Sequence, residues 1–156
     1  MINYFQPLNE EEIDVIRKAP LHVAILIAGA DNNIDRLELK EALRISRLKP
    51  IKGRNLLVNF YKEISRDFEF NLTEEIASLP REARKRNPVI ISELEKLNKI
   101  LPKLDRKFAI QFYESMKDIA FRIAKASGGV LGYIAVGYEE SKLMELRMVK
   151  NPARYK

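Results

Sequence analysis

The chain of 156 residues contains no cysteine. That absence removes disulfide frameworks, zinc–thiolate sites, iron–sulfur clusters and cysteine nucleophiles together, and it fits a reducing compartment. Histidine is nearly missing as well, since His22 stands alone. With no second histidine and no cysteine, a histidine-based metal centre or a nucleophilic triad lacks its parts. Set in the most apolar stretch of the chain, His22 reads as a partly buried, hydrogen-bonded structural residue. Glycine and proline are few, at six and seven, and fall mostly where segments should break. Strand-like alternation of β-branched residues is almost absent. The longest apolar run, Val23–Ala30, falls far short of the ~20 residues needed to cross a bilayer, and Met1–Glu12 has no signal-peptide pattern. The expectation is a cytoplasmic chain without a transmembrane segment.

Hydrophobic residues make up 46% of the chain and charged residues 32%, which describes a folded protein and not a disordered one. The length suits a single domain, 1–156, ending in a short basic tail over 150–156. Apolar residues recur at three and four positions, so the spacing predicts an all-α, compact bundle of about seven helices. Asn9 and Glu12 mark a helix start, and Pro20 predicts a stop near Lys18, with a second, buried helix running from Pro20 to Ala30. A third helix is expected over 35–48 and a fourth after Gly53, carrying Leu57, Phe60, Tyr61, Ile64 and Phe68 on one face. One or two turns are expected over Thr73–Leu79, and the basic run Arg81–Arg86 ends at Pro88. Ile90, Leu94, Leu97, Leu101 and Leu104 form a seam interrupted by Pro102. Phe108, Phe112, Met116, Ile119 and Ile123 line a long helix reaching Ser127, and a last helix is expected over 138–149.

Ala30-Asp31-Asn32-Asn33-Ile34-Asp35-Arg36-Leu37-Glu38 concentrates three carboxylates and two carboxamides between two helical segments. Asp31, Asp35 and Glu38 are hard oxygen donors, suited to calcium, magnesium or manganese. The spacing is not that of an EF-hand. The same residues also read as ordinary helix-start chemistry, with Asp35 as N-cap, Glu38 in the first turn and the asparagines as turn formers. A faint internal echo pairs Ile27–Asp31 with Ile123–Ser127, and Ile34–Glu38 with Val136–Glu140. Ser127-Gly128-Gly129-Val130-Leu131-Gly132 lacks the Lys-Ser/Thr ending of a phosphate loop and reads as a helix terminator.

In Ala30–Glu38, in Ala126–Gly132 followed by Glu139-Glu140, and in the Ala19-Pro20 pair, the chain resembles the TerB-like, tellurite-resistance-associated family. Two positions depart from that pattern: Asn33 stands where the family usually has Gly, and Gly137 where Ser is common. The resemblance implies an all-helical fold of two pseudo-symmetric halves. It also implies an acidic metal-holding surface on Asp31, Asp35, Glu38, Glu139 and Glu140, and a non-enzymatic, membrane-proximal role in stress-response complexes. A protein partner is therefore expected.

A net charge of +6 also permits anionic partners. Basic residues gather in three places: Arg44, Arg47, Lys49, Lys52 and Arg54; Arg81, Arg84, Lys85 and Arg86; and Arg147, Lys150, Arg154 and Lys156. The second group is the candidate partner-binding cluster. Such runs are usually solvated helix faces, and no nucleic-acid-binding motif accompanies them. The alternative function is accordingly a basic helical module engaging nucleic acid or anionic lipid. A metal-dependent carboxylate hydrolase is the third and weakest expectation.

Overall fold

A computed structural model describes residues 3–29, 55–127, 143 and 145–155, with the backbone alone at 55 and over 125–127. Among these residues are five helices of eight residues or more: α1 (Glu10–Ala28), α2 (Val58–Ser65), α3 (Phe68–Ser78), α4 (Ala83–Glu95) and α5 (Arg106–Ser127). Short helical turns cover Asn55–Leu57, Leu97–Ile100, Leu101–Lys103 and Pro152–Arg154. The fold class is all-α. The helix expected over 35–48 and most of that expected over 138–149 lie outside the described residues.

α1 begins as the sequence indicates. Asn9 Oδ1 accepts from the Glu12 amide at 2.8 Å, and Glu12 Oε1 accepts from the Asn9 amide at 3.1 Å. Lys103 Nζ donates to the other Glu12 oxygen at 2.7 Å. These contacts hold the Glu12 carboxyl below the usual glutamate range, the Lys103 hydrogen bond contributing most. The helix does not stop near Lys18, however. It passes through Pro20 without a break as one element of 19 residues. A proline inside a helix removes one N–H from the ladder and costs about 3 kcal/mol. Every residue from Ala19 to Ala28 is buried. Burying a large aliphatic side chain contributes about 1.5–3 kcal/mol, and Leu21, Val23, Ile25, Leu26 and Ile27 together outweigh the proline.

The same correction applies to α4, which runs through Pro88 to Glu95 instead of ending there. Ile90 and Leu94 are buried on it, and the seam continues through Leu97, Leu101 and Leu104, all buried as expected. Pro102 falls in the Leu101–Lys103 turn, where the helical run does end. α3 starts at Phe68, five residues before the expected turns, because Phe68 and Leu72 anchor it to the core. On α5, Phe108, Phe112, Met116, Ile119 and Ile123 are all buried.

Chain path follows from a few contacts. α4 starts beside the C-terminal end of α1, where Arg86 bonds Gly29, and the turns after it bring Lys103 back to Glu12 at the opposite end. α5 therefore starts near the beginning of α1. Tyr4 stacks on Phe108 with ring centroids 4.7 Å apart, and Phe5 meets the same ring edge-on at 5.7 Å. Further along, Val23 shares a small cavity with Phe112 and Met116. α1 and α5, the most extensively packed pair, thus run in the same sense at the centre of one continuous core.

The last expected helix does not reach Val149. From Glu145 the chain is in turns, and Leu146 adopts a left-handed backbone with φ of 46°. Of the expected basic tail over 150–156, residues 150–155 are described. Residues 145–155 form a strap, with Leu146, Val149 and Pro152 buried.

Candidate functional site

The five carboxylates singled out by sequence, Asp31, Asp35, Glu38, Glu139 and Glu140, lie outside the described residues, as do Gly128–Gly132 and the Arg44–Arg54 cluster. What is described is the support from which the first acidic stretch departs. α1 closes at Gly29, whose N–H bonds the Ile25 carbonyl at 2.8 Å. The Gly29 carbonyl accepts a hydrogen bond from the Arg86 guanidinium, which also donates to the Arg81 carbonyl at 2.8 Å. Arg86 is only 2% exposed. Its positive charge at the C-terminal end of α1 is favourable, because unpaired carbonyls there carry partial negative charge. Asp31 follows Gly29 by two residues.

This placement corrects the candidate partner-binding cluster. Arg81, Arg84 and Lys85 are exposed, but Arg86 points inward and joins two backbone segments. Its phase explains why. Ala83, Arg86, Ile90 and Leu94 step by three, four and four along α4 and all are buried, so Arg86 extends the apolar seam by one position. That spacing is legible in the sequence. Arg84 keeps only a weak link to Glu82 at 3.6 Å.

A charged cleft of about 510 Å³ lies where α1 meets α2 and α3. Arg17 bonds Glu63 at 2.8 Å across it, while Lys18 lies 3.3 Å from Asp14 and 3.9 Å from Glu75. His22 Nε2 meets Glu75 Oε1 at 3.0 Å, and the ring is 3% exposed. The expectation of a hydrogen-bonded structural histidine is met. The pair ties α1 to α3, with Glu75 on the cleft wall and His22 buried behind it. Among the described residues no group of three or more His, Asp or Glu is arranged to hold a metal ion. No described helix is long and apolar enough to cross a membrane.

The strap is held by two residues that the sequence did not single out, Asn98 and Arg106. Asn98 donates from Nδ2 to the Met148 carbonyl and accepts at Oδ1 from the Lys150 amide, both at 2.7 Å. Arg106 donates to the Ala153 carbonyl at 3.0 Å. Lys150 Nζ sits 5.8 Å from the Tyr155 ring centroid. Burial pushes the phenols of Tyr113 and Tyr155 above their ordinary range, the nearby Arg154 partly opposing this at Tyr113.

No family model matches the chain, and no solved structure matches it. The chain is similar to the uncharacterized protein ORF11′ of Methanothermobacter thermautotrophicus, with 25% identity over 116 residues that make up 74% of each chain.

Proposed function

We propose that the chain is a non-enzymatic, TerB-like recognition module of the stress response. It docks a partner protein through the oxygen-rich stretch after α1, with a divalent cation held by Asp31, Asp35 and Glu38 and joined by Glu139 and Glu140. The observation that supports this most is the buried Arg86 clamp on Gly29, two residues ahead of Asp31. A recognition segment gains affinity when its root is held rigid, because less freedom is lost on binding. α1 and α5 run in the same sense, and each precedes an acidic stretch in the sequence, at Asp31 and at Glu139-Glu140. The donor set is all carboxylate, which fits calcium, magnesium or manganese and disfavours copper or zinc.

Titration of chelated, full-length protein with calcium or manganese, followed by calorimetry, tests the proposal. A saturable signal is expected that Asp31→Ala weakens by about tenfold, a loss of roughly 1.4 kcal/mol. Identical titrations of the two proteins, or none in either, would overturn it. Were nucleic acid or anionic lipid the partner, binding would instead fall steeply with added salt and depend on Arg81, Arg84 and Lys85.

A further inference from the structure

The strap turns its charges outward. Leu146 and Val149 enter a groove walled by Leu94, Leu97, Leu101, Phe112 and Met116. The hydrogen bonds from Asn98 and Arg106 end on strap main chain, at Met148 O, Lys150 N and Ala153 O. Seating takes up apolar anchors and backbone, and the side chains of Lys150 and Arg154 stay exposed. They come to lie beside α5, where Arg106 and Lys117 are exposed as well. Arg106 bonds Ala153 at 3.0 Å, and Arg154 lies near enough to Tyr113 to oppose the effect of burial on its phenol. Lys117 Nζ is 6.0 Å from the centroid of the same ring. Arg106, Tyr113 and Lys117, spaced by seven and four, share one side of the helix.

Nearby carboxylates leave these four cations uncompensated. Glu145 of the strap pairs with Arg147, and Asp118 of α5 pairs with Arg122 at 2.8 Å. Among the described residues no carboxylate forms an ion pair with Arg106, Lys117, Lys150 or Arg154. One turn beyond Lys117, Phe121 stands 57% exposed, the one large apolar side chain that α5 shows to solvent. Residues four apart are neighbours on a helix surface. We propose that this face, from the strap to Phe121, binds single-stranded nucleic acid. Its cations match phosphates, and the exposed ring offers a π-face on which an unstacked base can lie. Arg106 to Phe121 covers about 22 Å of helix, room for several nucleotides. A duplex keeps its bases within the stack and cannot use Phe121. An anionic membrane surface asks for an apolar stripe, and Phe121 has no such company on α5. The site involves no carboxylate of the proposed function and none of Arg81, Arg84 and Lys85, so it stands or falls separately from both readings.

Fluorescence anisotropy of a labelled oligodeoxythymidine, about 20 nucleotides long, titrated with the full-length chain tests this. Binding is expected at low salt and should weaken steeply as salt is added. K117Q/R154Q should lower affinity by about tenfold or more. It should also flatten the slope of log affinity against log salt by about 1.4, since two phosphate contacts are lost at about 0.7 each on a single strand. F121A should lower affinity by about tenfold and leave that slope unchanged, because stacking releases no counterions. R84Q/K85Q removes the same amount of charge elsewhere and should do neither. All five substituted side chains are exposed, so each variant should keep the wild-type far-ultraviolet spectrum. No binding by the unaltered protein overturns the proposal. Equal losses from the two charge variants, an F121A variant that binds as the unaltered protein does, or equal affinity for a duplex of the same length would overturn it as well.

Discussion

Arg86 belongs by sequence to a run of four cations within six positions, yet it behaves unlike its neighbours. Its guanidinium bridges the Gly29 and Arg81 carbonyls in a buried setting, whereas Arg81, Arg84 and Lys85 face solvent. Removing it would leave the buried Gly29 carbonyl and the partly buried Arg81 carbonyl without that donor. Hydrogen bonds from charged groups contribute about 1.5–3 kcal/mol each, with strong overlap between neighbours. Arg86→Met is therefore expected to lower stability by about 2–3 kcal/mol, seen as a reduced urea midpoint at unchanged slope. Arg84→Met should change it by less than ~0.5 kcal/mol. Equal effects would mean that burial does not distinguish them. His22 is a second case where one residue carried its own explanation. A lone histidine in an apolar helix needs a polar partner, and Glu75 supplies it from 53 positions away. The need was legible; the partner was not, because nothing local couples α1 to α3.

At the scale of helices, periodicity located the buried faces of α4 and α5 residue by residue, while proline misplaced the boundaries. Pro20 and Pro88 both lie inside helices. Local preference says stop, and tertiary burial overrides it when the apolar face continues past the proline. Pro20→Ala isolates that contest. Restoring an N–H able to reach the Ile16 carbonyl four residues back should stabilise α1 by about 1 kcal/mol or more, since the lost ring contacts offset part of the gain. Denaturant midpoints measure it. A lower midpoint would show that Pro20's own packing, and not the bulk of the apolar face, holds the helix together. Turn chemistry was more faithful. Asn9 and Glu12 cap α1 as their spacing indicated, because a capping box depends on residues three apart and on nothing distant.

For the molecule as a whole, the strap joins the end of the chain to its centre, and two tyrosines report on that closure. Burial raises the Tyr113 and Tyr155 phenols above their ordinary value near 10. Because the unfolded chain gives up these protons first, stability is full below about pH 10 and declines as pH climbs from there toward the raised values. Absorbance titration near 295 nm should show Tyr113 and Tyr155 ionising later than an ordinary phenol, and Asn98→Leu should return Tyr155 toward ordinary behaviour. Tyr155 titrating as an ordinary phenol in the unaltered protein would contradict a seated strap. The all-α class and the core were legible because both rest on side-chain pattern. The strap was not, since Asn98 binds main-chain atoms 50 and 52 positions away and main chain leaves no signature in sequence. The carboxylates Asp31, Asp35, Glu38, Glu139 and Glu140 fall outside the described residues.

A groove that grips peptide amides and carbonyls is indifferent to most of the lettering it holds. Mutational drift along the strap should accordingly be lopsided: saturation mutagenesis would find Arg147 and Lys150 permissive, while Leu146, Val149 and Pro152 tolerate few replacements. Descendants of this chain could rewrite the charge of that segment wholesale and still keep it docked.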